Sequence, residues 1–204
     1  MTVGIVGLGL IGGSMAKSIK ARTAHTVFGC DLDQETMMMA RMCGAIDAPL
    51  TAKNLKECDL VLVAIRPAAA VKWVKEHAEG IRRDAILVDL CGVKRAVVRE
   101  LAPVAEQYGF AYIGGHPMAG SERIGFANSK AGLLENAYYI LAPAPQVPAA
   151  KIAEFQGLVT SMGAIPLQVE SQKHDYVTAA VSHLPHIVAA ALVHLVQDLS
   201  LIHI

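Results

Sequence analysis

Three glycines in six residues, Gly7-Leu8-Gly9-Leu10-Ile11-Gly12, constrain this chain more than any other feature. They follow the apolar run "TVGIVG" (2–7), which reads as a strand, and they open a helical pattern from Ile11 to Lys20. A strand that turns at once into a helix needs a tight turn, which Gly7 permits. It also needs close strand–helix packing, which Gly12 permits. Gly9 lets the backbone approach a pyrophosphate, and the helix N-terminus offers unpaired N–H groups and a positive dipole end to phosphate oxygens. A second strand, "HTVFGCD" (25–31), ends at Asp31, 19 residues after Gly12. A carboxylate there accepts hydrogen bonds from both ribose hydroxyls of NAD and repels the 2′-phosphate of NADP. No arginine follows until Arg41. The candidate cofactor residues are therefore Gly7, Gly9, Leu10, Ile11, Gly12 and Asp31, against the plainer alternative of a glycine turn that binds nothing.

The alternation continues. "QETMMMARM" reads as a helix, "DLVLVAI" (59–65) as a buried strand, and Pro67 as the start of a helix through Trp73 to about Glu79. "AILVDL" (85–90) is a strand, followed by a helix from about Val93 to Gln107. "AYIGG" (111–115), "AYYILAP" (137–143) and "AIPLQVE" (164–170) read as further strands, the last two flanking a helix near Pro148 to Met162. Strands without polar alternation, each followed by a helix, indicate an α/β fold with a parallel sheet covered on both faces. From about Gln172 the alternation stops and a second, helical domain begins.

Hydrophobic residues make up 53% of the 204-residue chain and charged residues 18%, which favours a well-buried core over disorder. Eighteen Lys plus Arg balance eighteen Asp plus Glu, so no basic excess points to nucleic acid or a membrane surface. Cys30, Cys43, Cys58 and Cys91 are scattered without a C-x-x-C spacing, which reads as free thiols in a reducing cytoplasm. The N-terminus lacks the basic region of a signal peptide. Tyr176 to Val196 is about long enough to cross a bilayer, but it carries His183, His186 and His194 and is interrupted by Pro185. A buried or interface helix is the reading adopted.

"GGHPMAGSE" (114–122) places His116 between glycines and a proline, just past the end of its strand, on the sheet edge that also carries Gly9 and Asp31. Ligands of doubly wound sheets bind at that edge, and a rigid setting gives a general base its direction. A surface histidine in a turn is the alternative.

Taken in order, "GLGLIGGS", "DLCGVK" (89–94), "GGHPMAGSE" and "SHLPH" (182–186) resemble the prephenate/arogenate dehydrogenase family, over residues 3 to about 198. The resemblance implies a Rossmann-type, doubly wound, mostly parallel sheet over 1–170 and the first part of an α-helical dimerisation domain over 171–198. It implies oxidative decarboxylation of prephenate, or of its amino analogue arogenate, in tyrosine biosynthesis, with hydride transfer to NAD+. His116 becomes the base that takes the substrate hydroxyl proton, and activity falls below its pKa. Ser121 and His186 become substrate contacts. The alternatives are a turn-capping serine and, for His183-x-x-His186, a metal site that has no nearby Cys or carboxylate to complete it. A full-length homodimer with a small-molecule substrate follows from the same resemblance.

Two departures stand out. Many members carry, where this chain has Gly92, a serine that contacts the catalytic histidine, so backbone or water must replace that partner. Asp89 and Lys94 read as structural or helix-start residues. The family's carboxylate-binding arginine lies downstream of "SHLPH", whereas here no arginine follows Arg123, and only Lys130, Lys151 and Lys173 lie beyond it. "LSLIHI" (199–204) is the direct translation of ctgtctcttatacacatc, a transposon end used in preparing sequencing libraries. It is expected to be a foreign tail on a chain cut near Asp198, one that binds NAD without turning over prephenate. Two other classes remain in view. One is a β-hydroxyacid-type dehydrogenase, for which Lys173 is the sole and poorly placed catalytic lysine. The other is a non-catalytic NAD-binding module, which would not need His116.

Overall fold

The computed structural model describes residues 1–197. Eight strands form one sheet: β1 (Thr2–Val6), β2 (Thr26–Cys30), β3 (Ala48–Pro49), β4 (Leu60–Val63), β5 (Ile86–Asp89), β6 (Ala111–Pro117), β7 (Tyr138–Pro143) and β8 (Ile165–Gln168). Their order is β3-β2-β1-β4-β5-β6-β7-β8. Pairing is parallel from β3 to β6, β7 runs antiparallel to β6, and β8 is parallel to β7. The helices are α1 (Leu10–Arg22), α2 (Gln34–Met42), α3 (Pro67–His77), α4 (Arg95–Tyr108), α5 (Ala149–Ser161), α6 (Ser171–Thr178) and α7 (Leu184–Gln197). This is the doubly wound α/β architecture that the alternation of patterns predicts. The two-residue β3 left no readable signal in the sequence.

The strand centres are apolar because both faces are covered. Val3 and Ile5 of β1, every residue of β4, and Ile86, Leu87 and Val88 of β5 are buried. Each such side chain contributes roughly 1.5–3 kcal/mol of burial energy. The strand order reverses beside β1, which opens a crevice between β1 and β4 at the carboxyl ends of the strands. The glycine turn sits there. Gly7 has φ +87°, and a Cβ on it would lie 2.5 Å from the Ile65 side chain. A Cβ on Gly12 would overlap the Gly7 carbonyl oxygen. Both glycines are thus required by the turn itself.

The sequence ends the sixth strand at Gly115 and puts His116 on a turn. The structure carries β6 through Pro117, because β7 returns antiparallel and pairs Gly115 with Leu141, His116 with Ile140 and Pro117 with Tyr139. The histidine is therefore held in a ladder rather than on a loop.

Beneath it lies a buried polar cluster. Asp89 ends β5 and forms an ion pair with Lys94, and neither side chain is exposed. Tyr112 donates its hydroxyl to Asp89 Oδ2 at 2.7 Å, and the Cys91 N–H donates to Oδ1 at 3.0 Å.

After β8, α6, a π-helical turn at Ala179–His183 and α7 form one helix over Ser171–Gln197, long and apolar enough to cross a membrane. Pro185 does not break it. The widened turn just before the proline takes up the missing N–H and the ring's bulk. His174 and Thr178 are buried, but the whole of α7 is exposed among the described residues, with Leu195 at 65%. Of the buried or interface helix read from the sequence, the buried half is not met by α7 within this chain. The tail at 199–204 lies outside the described residues.

Removing one partner of the buried pair leaves a charge unpaired. Lys94→Met is expected to cost about 3–5 kcal/mol of stability, measured by urea denaturation.

Candidate active site

Register fixes which groups meet. Val6, Val63, Asp89 and Gly114 lie in one row across the sheet. The next residue of β1 is Gly7, and two residues beyond Gly114 is His116. The glycine turn and the histidine therefore rise from the same edge, separated by β4 and β5.

The turn fits a dinucleotide. Gly9 is the N-cap of α1, no side chain caps the helix, and its first turn carries no acid. A Cβ on Gly9 would meet nothing within 4 Å, so that face of the backbone is open for a bound group to approach. Asp31 leaves the end of β2. Its Oδ2 accepts the Leu8 N–H at 2.7 Å and its Oδ1 accepts the Asp33 N–H at 3.0 Å. Each oxygen keeps a lone pair for a ribose hydroxyl, while the backbone bonds hold the carboxylate against the turn. Beside it lies a cleft of about 580 Å³ lined by Cys30, Asp31, Gln34, Met37, Arg41 and Leu50. Arg41, which lies ten residues past Asp31 in sequence, shares that cleft.

His116 is half-buried. Its Nδ1 lies 2.8 Å from Nε2 of His174, whose ring meets it edge-on. A Cβ on Gly92 would sit 3.8 Å from His116 Nε2, so the glycine is next to the ring nitrogen and presents no polar group to it. That nitrogen has no hydrogen-bond partner among the described residues. Burial, then the neighbouring His174 and the Lys94 ammonium, push the His116 pKa down to about 4, against opposing pulls from Asp89 and Asp175. The ring is a neutral base at physiological pH.

His174 and Asp175 are absent from the sequence-derived candidates. His174 is 4% exposed, and its Nδ1 lies 2.8 Å from Asp175 Oδ1. Asp175 accepts the Lys94 N–H at 2.7 Å and the Arg95 N–H at 2.9 Å, capping α4 from 80 residues away. Burial raises its pKa, but those N–H bonds and His174 outweigh burial and hold the carboxyl below the usual range. In sequence, "KHD" reads as any polar opening of a helix. No spacing rule links residue 174 to residue 116.

The other candidates stand apart. Ser121 is exposed, and its Oγ accepts the Arg123 N–H at 3.1 Å. His186 is exposed on α7, and its Nδ1 lies 2.7 Å from the Ser182 carbonyl oxygen. Neither joins the His116 cluster. Asp89 and Lys94 form the buried pair beneath it.

A family model described as the nucleotide-binding domain of prephenate dehydrogenase matches residues 15–166. A second, described as its dimerization domain, matches 170–203. The chain is 35% identical to the prephenate dehydrogenase of Bacillus subtilis, over 95% of this chain and 53% of that protein. It is 30% identical to a cyclohexadienyl dehydrogenase of Zymomonas mobilis, over 96% and 67%. A crystal structure of A. aeolicus prephenate dehydrogenase with hydroxyphenyl propionate and NAD+ superposes with a TM-score of 0.88 at 29% identity, covering 98% of this chain and 70% of that one. The chain thus spans about half the length of the B. subtilis relative. With a family model matching most of its length and the glycine turn and His116 on one sheet edge, the chain belongs to the prephenate dehydrogenase family.

Proposed function

We propose that this chain carries the NAD-binding and base-bearing part of an enzyme that oxidatively decarboxylates prephenate, with arogenate as the alternative substrate. The observation that carries the reading is His116: a neutral imidazole fixed in a strand ladder, its Nε2 unpartnered, on the sheet edge that holds the glycine turn.

NAD+, when bound, supplies the hydride acceptor. Gly7, Gly9, Leu10, Ile11 and Gly12 hold its pyrophosphate through the turn and the α1 N-terminus, and Asp31 holds the adenosine ribose. His116 accepts a hydrogen bond from the substrate hydroxyl and takes its proton at Nε2 as the carbon bearing that hydroxyl gives up hydride. The electron pair left by departing CO2 aromatises the ring, and the resulting phenolate oxygen takes a proton back. Aromatisation drives the reaction, so the protein needs only to orient the substrate and relay one proton.

Ser121 and His186 are the proposed substrate contacts. The Ser121 oxygen accepts from Arg123, which leaves its O–H to donate to a carboxylate. His186 donates Nδ1–H to the Ser182 carbonyl, which leaves Nε2 as the nitrogen available to substrate. Residues 171–198 form the proposed first part of a helical dimerisation domain, whose exposed α7 is the face a second subunit would cover. Cytoplasmic residence and a homodimer at full length belong to the same proposal.

Three measurements test this. Asp31 should make the chain bind NAD much more tightly than NADP in a fluorescence titration; equal affinities would remove its assigned role. In an enzyme extended to the length of its relatives, His116→Asn should lower NADH formation from prephenate about 10²-fold or more with a smaller change in KM. An unchanged rate would exclude His116 as the base. In that enzyme the acid limb of kcat/KM should lie well below the ordinary histidine value of 6.5, towards about 4, because the depressed pKa keeps the base neutral down to that pH. A limb at 6.5 or above would contradict the buried, cation-facing environment.

A further inference from the structure

We infer that His174 and Asp175 are a positioning pair that holds His116 in the tautomer protonated at Nδ1, so that Nε2 keeps its lone pair towards the cleft beside Gly92. The role of that lone pair in turnover rests on the function proposed above; the tautomer itself does not.

The direction of each hydrogen bond follows from what its partners are able to do. Both Asp175 oxygens already receive a backbone N–H from the start of α4, which fixes the carboxylate in place and keeps it ionised. An ionised carboxylate only accepts, so His174 Nδ1, at 2.8 Å, carries a proton. With a single ring proton, at Nδ1, His174 presents Nε2 as an acceptor. His116 Nδ1 lies 2.8 Å from it and must be the donor. The Thr178 hydroxyl, 3.4 Å from the same His174 nitrogen, is a second, longer donor to it. A neutral His116 that donates from Nδ1 is unprotonated at Nε2, which is the state a base requires. Free histidine favours the opposite tautomer, so the pair imposes a choice that the ring alone would not make.

The charges around the ring give the pair a second effect. His116 faces the Lys94 ammonium from the start of α4, Asp89 from β5, and His174 and Asp175 from α6. Lys94 opposes protonation. His174 opposes it too, and the carboxylates of Asp89 and Asp175 pull the other way without outweighing them. The glycine at position 92 removes any side-chain partner from the Nε2 side, so orientation of the ring comes from the Nδ1 side, and from α6. The first helix of the segment that matches the dimerization model thereby sets the state of a base in the sheet domain.

The test is nitrogen-15 NMR of the histidine rings in the labelled chain at neutral pH, where protonated and lone-pair nitrogens resonate far apart. In the wild-type chain His116 should show Nδ1 protonated and Nε2 bare. His174→Leu removes the acceptor and should shift His116 towards the Nε2-protonated form. His174→Gln, whose side-chain oxygen takes the place of Nε2, should restore the wild-type pattern. In the extended enzyme, His174→Leu should lower kcat about tenfold or more with little change in KM, and His174→Gln should recover most of it. A wild-type His116 protonated at Nε2 overturns the inference whether or not the leucine variant folds, and so does a tautomer unchanged in a folded His174→Leu chain. The expected spectra in an extended enzyme that turns over neither prephenate nor arogenate would leave the positioning pair standing and overturn the proposed function instead.

Discussion

Lys94 has its ammonium sealed against the Asp89 carboxylate, with neither side chain exposed. An ion taken so far from water costs several kcal/mol, which is recovered only when every remaining hydrogen-bonding position is filled. Asp89 meets that condition: Lys94 and the Cys91 N–H share one oxygen, and the Tyr112 hydroxyl takes the other. This ties the end of β5, the start of α4 and the start of β6 into one cluster. Replacing such a pair with apolar residues often leaves stability unchanged, so its retention fits a service to the neighbouring site better than a contribution to the fold.

The service is electrostatic and geometric. The Lys94 ammonium lowers the pKa of His116, while the Lys94 backbone N–H donates to Asp175, the carboxylate hydrogen-bonded to His174. One residue therefore acts on His116 from two directions, discouraging its protonation through space and holding, through Asp175, the helix that brings His174 to the ring. Asp175 also satisfies two N–H groups at the start of α4, a helix with no acid in its own first turn. Docking of α6 and capping of α4 are the same event.

Much of the frame was legible in the residues. The strand–helix alternation fixed a covered parallel sheet, because only strands buried on both faces can be apolar throughout, as in "LVLV" of β4. The glycine spacing fixed the turn, since the close approach of Gly12 to the Gly7 carbonyl excludes any side chain. His116 was found from its motif but assigned to a turn. Glycine and proline do break strands in isolation, and the antiparallel return of β7, more than twenty residues later, is a non-local term that local propensity does not contain. Pro185 was read as an interruption for a related reason: a widened turn before it absorbs the missing donor, and no local signal announces that turn.

The sequence by itself determined the layer architecture, the nucleotide turn and the identity of the candidate base, because each rests on residues adjacent in the chain or repeated at a strand or helix period. Only the tertiary structure decided what stands against that base. His174 lies 58 residues from His116, and Asp175 lies 80 residues or more from the amides it caps. Such contacts are made by the packing of α6 on α4 and β6, and the chemistry of a titratable ring is set by whatever packing brings within about 3 Å of its nitrogens.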